Sequence, residues 1–394
     1  MFLTILLIII YLAFISLGLP DSLLGSAWPS MHTGMGVPIS YAGIVSMIIA
    51  GGTIVSSFFS DKVIRKFGTG VVTAVSVSLT AAALMGFSFS NEFYLLCIWA
   101  VPLGLGAGSV DAALNNFIAL HYKAKHMSWL HCFWGIGAMT GPVIMSYCLS
   151  KGAIFQLGYR IVAMIQIVLV IILIVTLPLW KKTIAAKKQE EDSQVRIQEH
   201  KALSVKELFR LPGAKQALTA FFCYCAIEAT TGLWGSSFVV MEHGISAETA
   251  AGWTSLFYFG ITLGRLISGF VTFKLNNRQM VRVGEAVILL GVAAMLIPLG
   301  NVFLCAGFIL IGLGCAPIYP SLLHETPKNF GAEYSQSIMG IQMACAYVGS
   351  TFMPPLFGFL ASNISYSLLP FYTGGLLLLM FFMVEILNKR VDSK

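Results

Sequence analysis

Long apolar runs alternate with short polar breaks along the whole chain, and each run has about the length of a bilayer-spanning helix. A span needs about 20 apolar residues at ~1.5 Å of rise each. The pattern predicts such helices at 2–30, 40–60, 69–89, 93–120, 127–149 and 159–180, and again at 214–240, 247–273, 280–299, 301–323, 333–360 and 364–388. One long hydrophilic stretch, 181–212, divides them six and six. The expectation is an all-α membrane protein of twelve transmembrane helices in two bundles, 1–180 and 213–394, joined by a linker. Inside the linker, Ser204-Val-Lys-Glu207 has the spacing of a capping box, which predicts a short surface helix before the seventh span. The first run lacks a basic leader and is longer than the ~7–15 apolar residues of a signal peptide, so it is read as a retained span.

Composition agrees with lipid as the main solvent. Of 394 residues, 57% are apolar and only 10% charged, against roughly 25% charged in soluble domains. The net charge of +7 does not point to nucleic acid, because the basic residues sit in short gaps and form no continuous face. With the N-terminus placed inside, 21 of the 24 Lys and Arg residues fall in cytoplasmic segments. Both termini are therefore expected in the cytoplasm, with the chain a monomer in the inner or plasma membrane. Cysteines at 97, 132, 148, 223, 225, 305, 315 and 345 lie in apolar runs without metal-ligand spacing and read as packing residues. No cofactor or metal is expected.

The two halves resemble one another. Ala42-Gly43, Ser46, Gly51 and Thr53 recur as Ala251-Gly252, Ser255, Gly260 and Thr262 at an offset of 209. Gly104-Leu-Gly106 recurs as Gly312-Leu-Gly314 at an offset of 208. A duplicated six-helix unit suits alternating access, in which two similar bundles move about a central site.

Twelve spans, a central polar segment and this repeat resemble the major facilitator superfamily over essentially the whole chain. The family's loop after span 2 is similar to Ser57-Phe-Phe-Ser-Asp61-Lys62-Val-Ile-Arg65-Lys66-Phe-Gly68, which keeps the acid and the basic residues but lacks the first glycine. The resemblance implies a gating role for Asp61, Arg65 and Lys66; positive-inside anchoring accounts for the same residues. Gly104 to Asn116, Leu130-His131, Gly135 to Pro142 and Gly18-Leu-Pro20-Asp21 resemble the fucose-permease-like branch. There, acids in spans 1 and 4 serve proton coupling, which the resemblance carries to Asp21 and Asp111, the second being Asp where the permease has Glu.

An ionisable side chain at mid-membrane costs roughly 2.5–3.5 kcal/mol even on insertion scales, so such residues face a cavity or a partner. Four stand out: Asp21, Asp111, Glu228 and Arg265. A carboxyl removed from water favours its neutral form and releases its proton when water arrives, as coupling requires. Asp21, Asp111 and Glu228 are the proton-coupling candidates. Asn115 shares a helix face with Asp111, Asn116 follows it, and His131 with Trp134 falls at similar depth in span 5; together they could form one polar patch. The bland reading of His131 is a satisfied hydrogen bond between helices. Pro20 predicts a break in the first span beside Asp21, and Trp28 is either an interfacial anchor or a ring-stacking residue.

Span 7 carries Tyr224, Glu228, Thr231 and Trp234 on one stripe, a substrate-contact candidate set or an aromatic packing face. Tyr258 and Gln342 are further candidates. Arg265 needs a carboxylate or carbonyl partner, with Glu285 and Glu228 the two carboxylates on offer, and is assigned to the gate or to anion recognition. Gly137-x-x-x-Gly141-Pro142 partly matches an antiporter motif, but small residues four apart also serve helix packing.

These features predict a secondary active transporter, with proton-coupled uptake of a sugar or similar small polar solute ahead of proton-driven export of drugs or metabolites. Protons are the expected coupling ion and Na+ the alternative. No phosphate-binding loop of the Gly-x-x-x-x-Gly-Lys-Ser/Thr type occurs, and no nucleophile or metal set suggests an enzyme.

Overall fold

A computed structural model describes residues 2–122, 124–152, 154–180, 207, 209–271, 274–298 and 300–392. Ser204 of the expected capping box lies outside them. The described residues are almost entirely helical. In order they form α1 (Phe2–Asp21), α2 (Leu23–Met35), α3 (Ala42–Phe67), α4 (Thr69–Phe89), α5 (Phe93–His121), α6 (Ala124–Ser150) and α7 (Phe155–Val175). After the linker come α8 (Ala214–His243), α9 (Ala247–Val271), α10 (Asn277–Leu296), α11 (Asn301–Phe330), α12 (Ala332–Asn363) and α13 (Leu369–Asp392).

The first span is one apolar rod, Thr4–Met35, broken into α1 and α2 at Ser22, directly after Pro20-Asp21. Proline removes a backbone donor and clashes with the preceding turn, which accounts for the break. Among the described residues eleven helical stretches are long and apolar enough to cross a membrane. The twelfth, α9, has 25 residues and ample length, but Arg265 and its Thr, Ser and Gly residues lower its apolarity. The segment expected as a loop after span 2 is instead the end of a helix: α3 continues through Asp61 and Lys66 to Phe67. The chain turns only at Gly68, whose φ of 81° a residue with a Cβ rarely adopts, and Gly331 at φ 91° makes the same kind of joint between α11 and α12.

The chain divides into two compact units, Met1–Ile197 with Gly244–Ser255, and Gln198–His243 with Leu256–Lys394. In the first, α5 packs on α3 and α4, α6 on α1, and α7 on α4. Leu6, Ile10, Phe14, Val77, Leu114 and Phe117 fill its core. Gln166 is a buried polar tie there, accepting from Thr80 at 2.8 Å and donating to the Ser16 carbonyl at 2.8 Å. In the second unit α10 packs on α11, α8 on α12 and α13, and α13 on α10. Outward faces carry apolar residues such as Ile171, Leu290 and Phe359, as a lipid solvent demands.

The repeat is visible in matching helix contacts. A Cβ on Gly104 would run into the Ile49 carbonyl, and one on Gly312 into the Phe257 carbonyl. Gly106 lies against Ser76 and Thr80, as Gly314 lies against Gly284 and Ile288. Gly52 meets Leu105, as Gly260 meets Leu313. Every one of these residues is 208 positions from its counterpart. This corrects the sequence register in α3 and α9: Gly260 corresponds to Gly52, whereas Gly51 faces open space.

Candidate functional site

In the first unit, Asp21 stands at the helix break, where its carboxylate is exposed and accepts the indole N–H of Trp134 at 2.8 Å. Glycines make this approach of α1 and α6 possible: Gly18 abuts the Trp134 carbonyl and Gly137 the Ile15 carbonyl. Asp111 is part-buried on α5 and accepts from the Asn115 amide, one turn on, at 2.9 Å. The same amide also reaches the Asp111 carbonyl at 3.0 Å. His131 presents its ring edge-on to Phe14, with centroids 5.9 Å apart. Nearby, Tyr11 stacks on Phe133 and its hydroxyl lies 2.9 Å from Nδ1 of His126. The groups expected in one patch are thus divided: Trp134 meets Asp21 across the seam of α1 and α6, whereas Asp111 and Asn115 pair within α5. The Asn116 side chain lies outside the described residues, as do those of Asp61 and Arg65. Lys66 is exposed, 5.2 Å from the Phe67 ring centroid.

In the second unit, the Tyr224 hydroxyl donates to the Glu228 carboxylate one turn along α8. Arg265 and Glu228 both lie close enough to Tyr224 and to Cys315 to act on them electrostatically. Glu228 thus shares a neighbourhood with Arg265, whereas the charges that act on Glu285 are those of Glu385 and Arg282. Tyr319 of α11 completes the cluster, its ring 5.8 Å from Tyr224 and 5.5 Å from Phe221, its hydroxyl 3.1 Å from the Met343 sulfur. Sequence reasoning passed over Tyr319. Its signal was Pro317-Ile-Tyr319-Pro320, two prolines that interrupt the hydrogen-bond ladder around one hydroxyl.

The rest of the span-7 stripe is used for packing. Trp234 is fully buried, gives its indole N–H to the Pro354 carbonyl at 2.7 Å, and lies against Phe357 and Tyr366. That environment is the aromatic packing face, the second of the two readings of the stripe. Thr231 is buried too, and among the described residues its hydroxyl oxygen has no partner. The Tyr258 hydroxyl fills the space over Gly232, where a Cβ would collide with it. Gln342 is buried and accepts from Thr326 at 3.0 Å. In the first span, Trp28 is likewise enclosed and bonded to the Ile39 carbonyl, neither an interfacial anchor nor an open ring platform.

A second polar group, also missed in sequence, gathers where α10 begins and α11 and α13 end. Arg282 holds Glu385 through two bonds of 2.7 and 2.8 Å, and Arg278 holds Asp392 at 2.7 Å. Glu325 accepts from Asn277 at 3.0 Å and lies 3.7 Å from both Arg278 and Lys328.

The family model described as Major Facilitator Superfamily matches residues 10–301 and 253–394. Among curated relatives, the chain is 24% identical over 395 residues to "Bypass of stop codon protein 6" of Saccharomyces cerevisiae, covering 91% of this chain and 77% of that one. It is 21% identical over 352 residues to the glucose/mannose transporter GlcP of Bacillus subtilis, covering 88% and 86%. Among solved structures, the nucleoside transporter NupG aligns with a TM-score of 0.78 at 15% identity, covering 96% of this chain and 98% of that one. A D-xylose-proton symporter aligns with a TM-score of 0.74 at 13% identity, covering 97% of each. At these identities the structural likeness speaks to the fold.

Proposed function

Because the chain belongs to the major facilitator superfamily, a family of membrane transporters, we propose that it is a proton-coupled secondary transporter that takes up a sugar or a similar small polar solute by alternating access. The observation that carries this reading is Asp111. It lies inside an apolar helix, and among the described residues its partners are Asn115 and no cation. A carboxyl held by a neutral amide can gain or lose a proton without breaking an ion pair. Asp21 and Glu228 also accept from neutral donors, an indole and a phenol. The match to a glucose/mannose transporter over 88% of the chain supports sugar as cargo. Tyr224, Glu228, Tyr319 and Arg265 supply hydroxyl, carboxylate and guanidinium groups beside aromatic rings, a set suited to a hydroxylated solute.

The test is uptake of a panel of labelled hexoses and pentoses into liposomes holding the pure protein, with and without an inward proton gradient. Accumulation of at least one sugar only under the gradient is the expected result. If none is accumulated while a hydrophobic cation is expelled against the same gradient, the reading is wrong.

A further inference from the structure

Glu285 lies on α10 and is only 4% exposed. Among the described residues neither of its oxygens has a hydrogen-bond partner. Burial without a partner disfavours a carboxylate strongly, whereas the neutral carboxyl escapes most of that cost. The nearest cation on its own helix is Arg282, one turn back on the same face. That guanidinium is committed to Glu385 of α13 by two bonds. Farther along α10, Arg278 is held by Asp392 and Glu325. From α11, Glu325 faces this end of the bundle with Lys328 3.7 Å away. From α13 come Glu385 and Lys389, which is near enough to act on Glu385. Glu325, Glu385 and Asp392 each have a cation within reach. Among the described residues Glu285 forms no ion pair, and Arg282 acts on it only from longer range.

The repeat provides an internal control. At the 208-residue offset, Glu285 corresponds to Val77 and Arg282 to Ala74. Both are buried in the apolar core of the first unit. The architecture is therefore complete at this place with a valine, and packing does not require the carboxyl.

We propose that Glu285 is a proton-binding site at the seam of α10 and α13, and that on losing its proton it draws the Arg282 guanidinium from Glu385. The carboxyl gives H+ to water, and Arg282 exchanges one carboxylate for another on the same seam. Only the tie between this exchange and solute movement rests on the transport reading above.

The experiment is infrared difference spectroscopy of the full chain in lipid, recorded across a pH titration. Wild type is expected to show the C=O band of a protonated carboxyl without hydrogen bonds, lost as pH rises. The band should be missing in Glu285→Gln and present in Asp111→Asn and Glu228→Gln. In Arg282→Gln it should persist to higher pH, because the waiting cation is gone. Should Glu285→Gln fold poorly, Glu285→Val, which copies the residue at Val77, takes its place. A band unchanged in both variants overturns the proposal. No solute enters the measurement, so that outcome removes the site whether or not the protein carries sugar.

Discussion

The indole N–H of Trp134 and the carboxylate of Asp21 meet at 2.8 Å, across the seam of α1 and α6 and 113 residues apart in the chain. A hydrogen bond to a charged group is worth about 1.5–3 kcal/mol, and the exposure of Asp21 places this one at the lower end. Trp134→Phe keeps the ring and removes the donor. Gradient-driven uptake should fall roughly tenfold, the equivalent of ~1.4 kcal/mol, while the thermal midpoint of the purified protein moves little. Unchanged uptake would mean that the indole does not position Asp21 for transport.

Tyr224 and Glu228 form one functional pair in the same sense. Tyr224→Phe and Glu228→Gln should each depress uptake, and the double variant should be no worse than the more damaged single one. Groups acting as a unit show that non-additivity, with interaction energies of about 0.5–3 kcal/mol. Additive losses in a double-mutant cycle would count against the pair.

The glycine contacts of the repeat make a prediction about stability alone. Gly104→Ala and Gly312→Ala force a methyl group toward the carbonyls of Ile49 and Phe257. Each should be destabilised by about 1–3 kcal/mol, the usual cost of overpacking. Gly51→Ala, at a position facing open space, should melt like wild type or slightly higher. Thermal denaturation of the four proteins in one detergent decides it.

Trp234 separates packing from recognition. Trp234→Phe leaves the buried Pro354 carbonyl without its donor, costing about 1–3 kcal/mol of stability. The solute concentration at half-maximal uptake should stay the same. A large change in that concentration with no loss of stability would restore Trp234 as a solute contact.

Much of this fold was legible in the residue pattern, because a bilayer sets helix length and excludes unpaired backbone. The pattern predicts the third span at 69–89 and α4 is Thr69–Phe89, and the break beside Asp21 follows from Pro20. The repeat was visible in its glycines, but only contacts settled that Gly52, not Gly51, corresponds to Gly260. Partner choice was far less legible. Helical spacing puts Trp134 on a face without saying that the face meets α1. It groups Tyr224, Glu228 and Trp234 on one stripe without showing that the stripe runs from a polar cluster into a closed seam. The pairing of Glu325 and Glu385 with the arginines of α10 depends on which helix ends converge, and spacing along the chain does not carry that.

The most direct test compares two modes of transport in Asp111→Asn once a cargo is known. Liposomes loaded with unlabelled solute report exchange, and empty liposomes under an inward proton gradient report accumulation. If Asp111 carries the coupling proton, the variant should exchange at a rate near wild type and accumulate nothing above equilibrium. Accumulation to the wild-type level in Asp111→Asn, under the same gradient, would contradict the account.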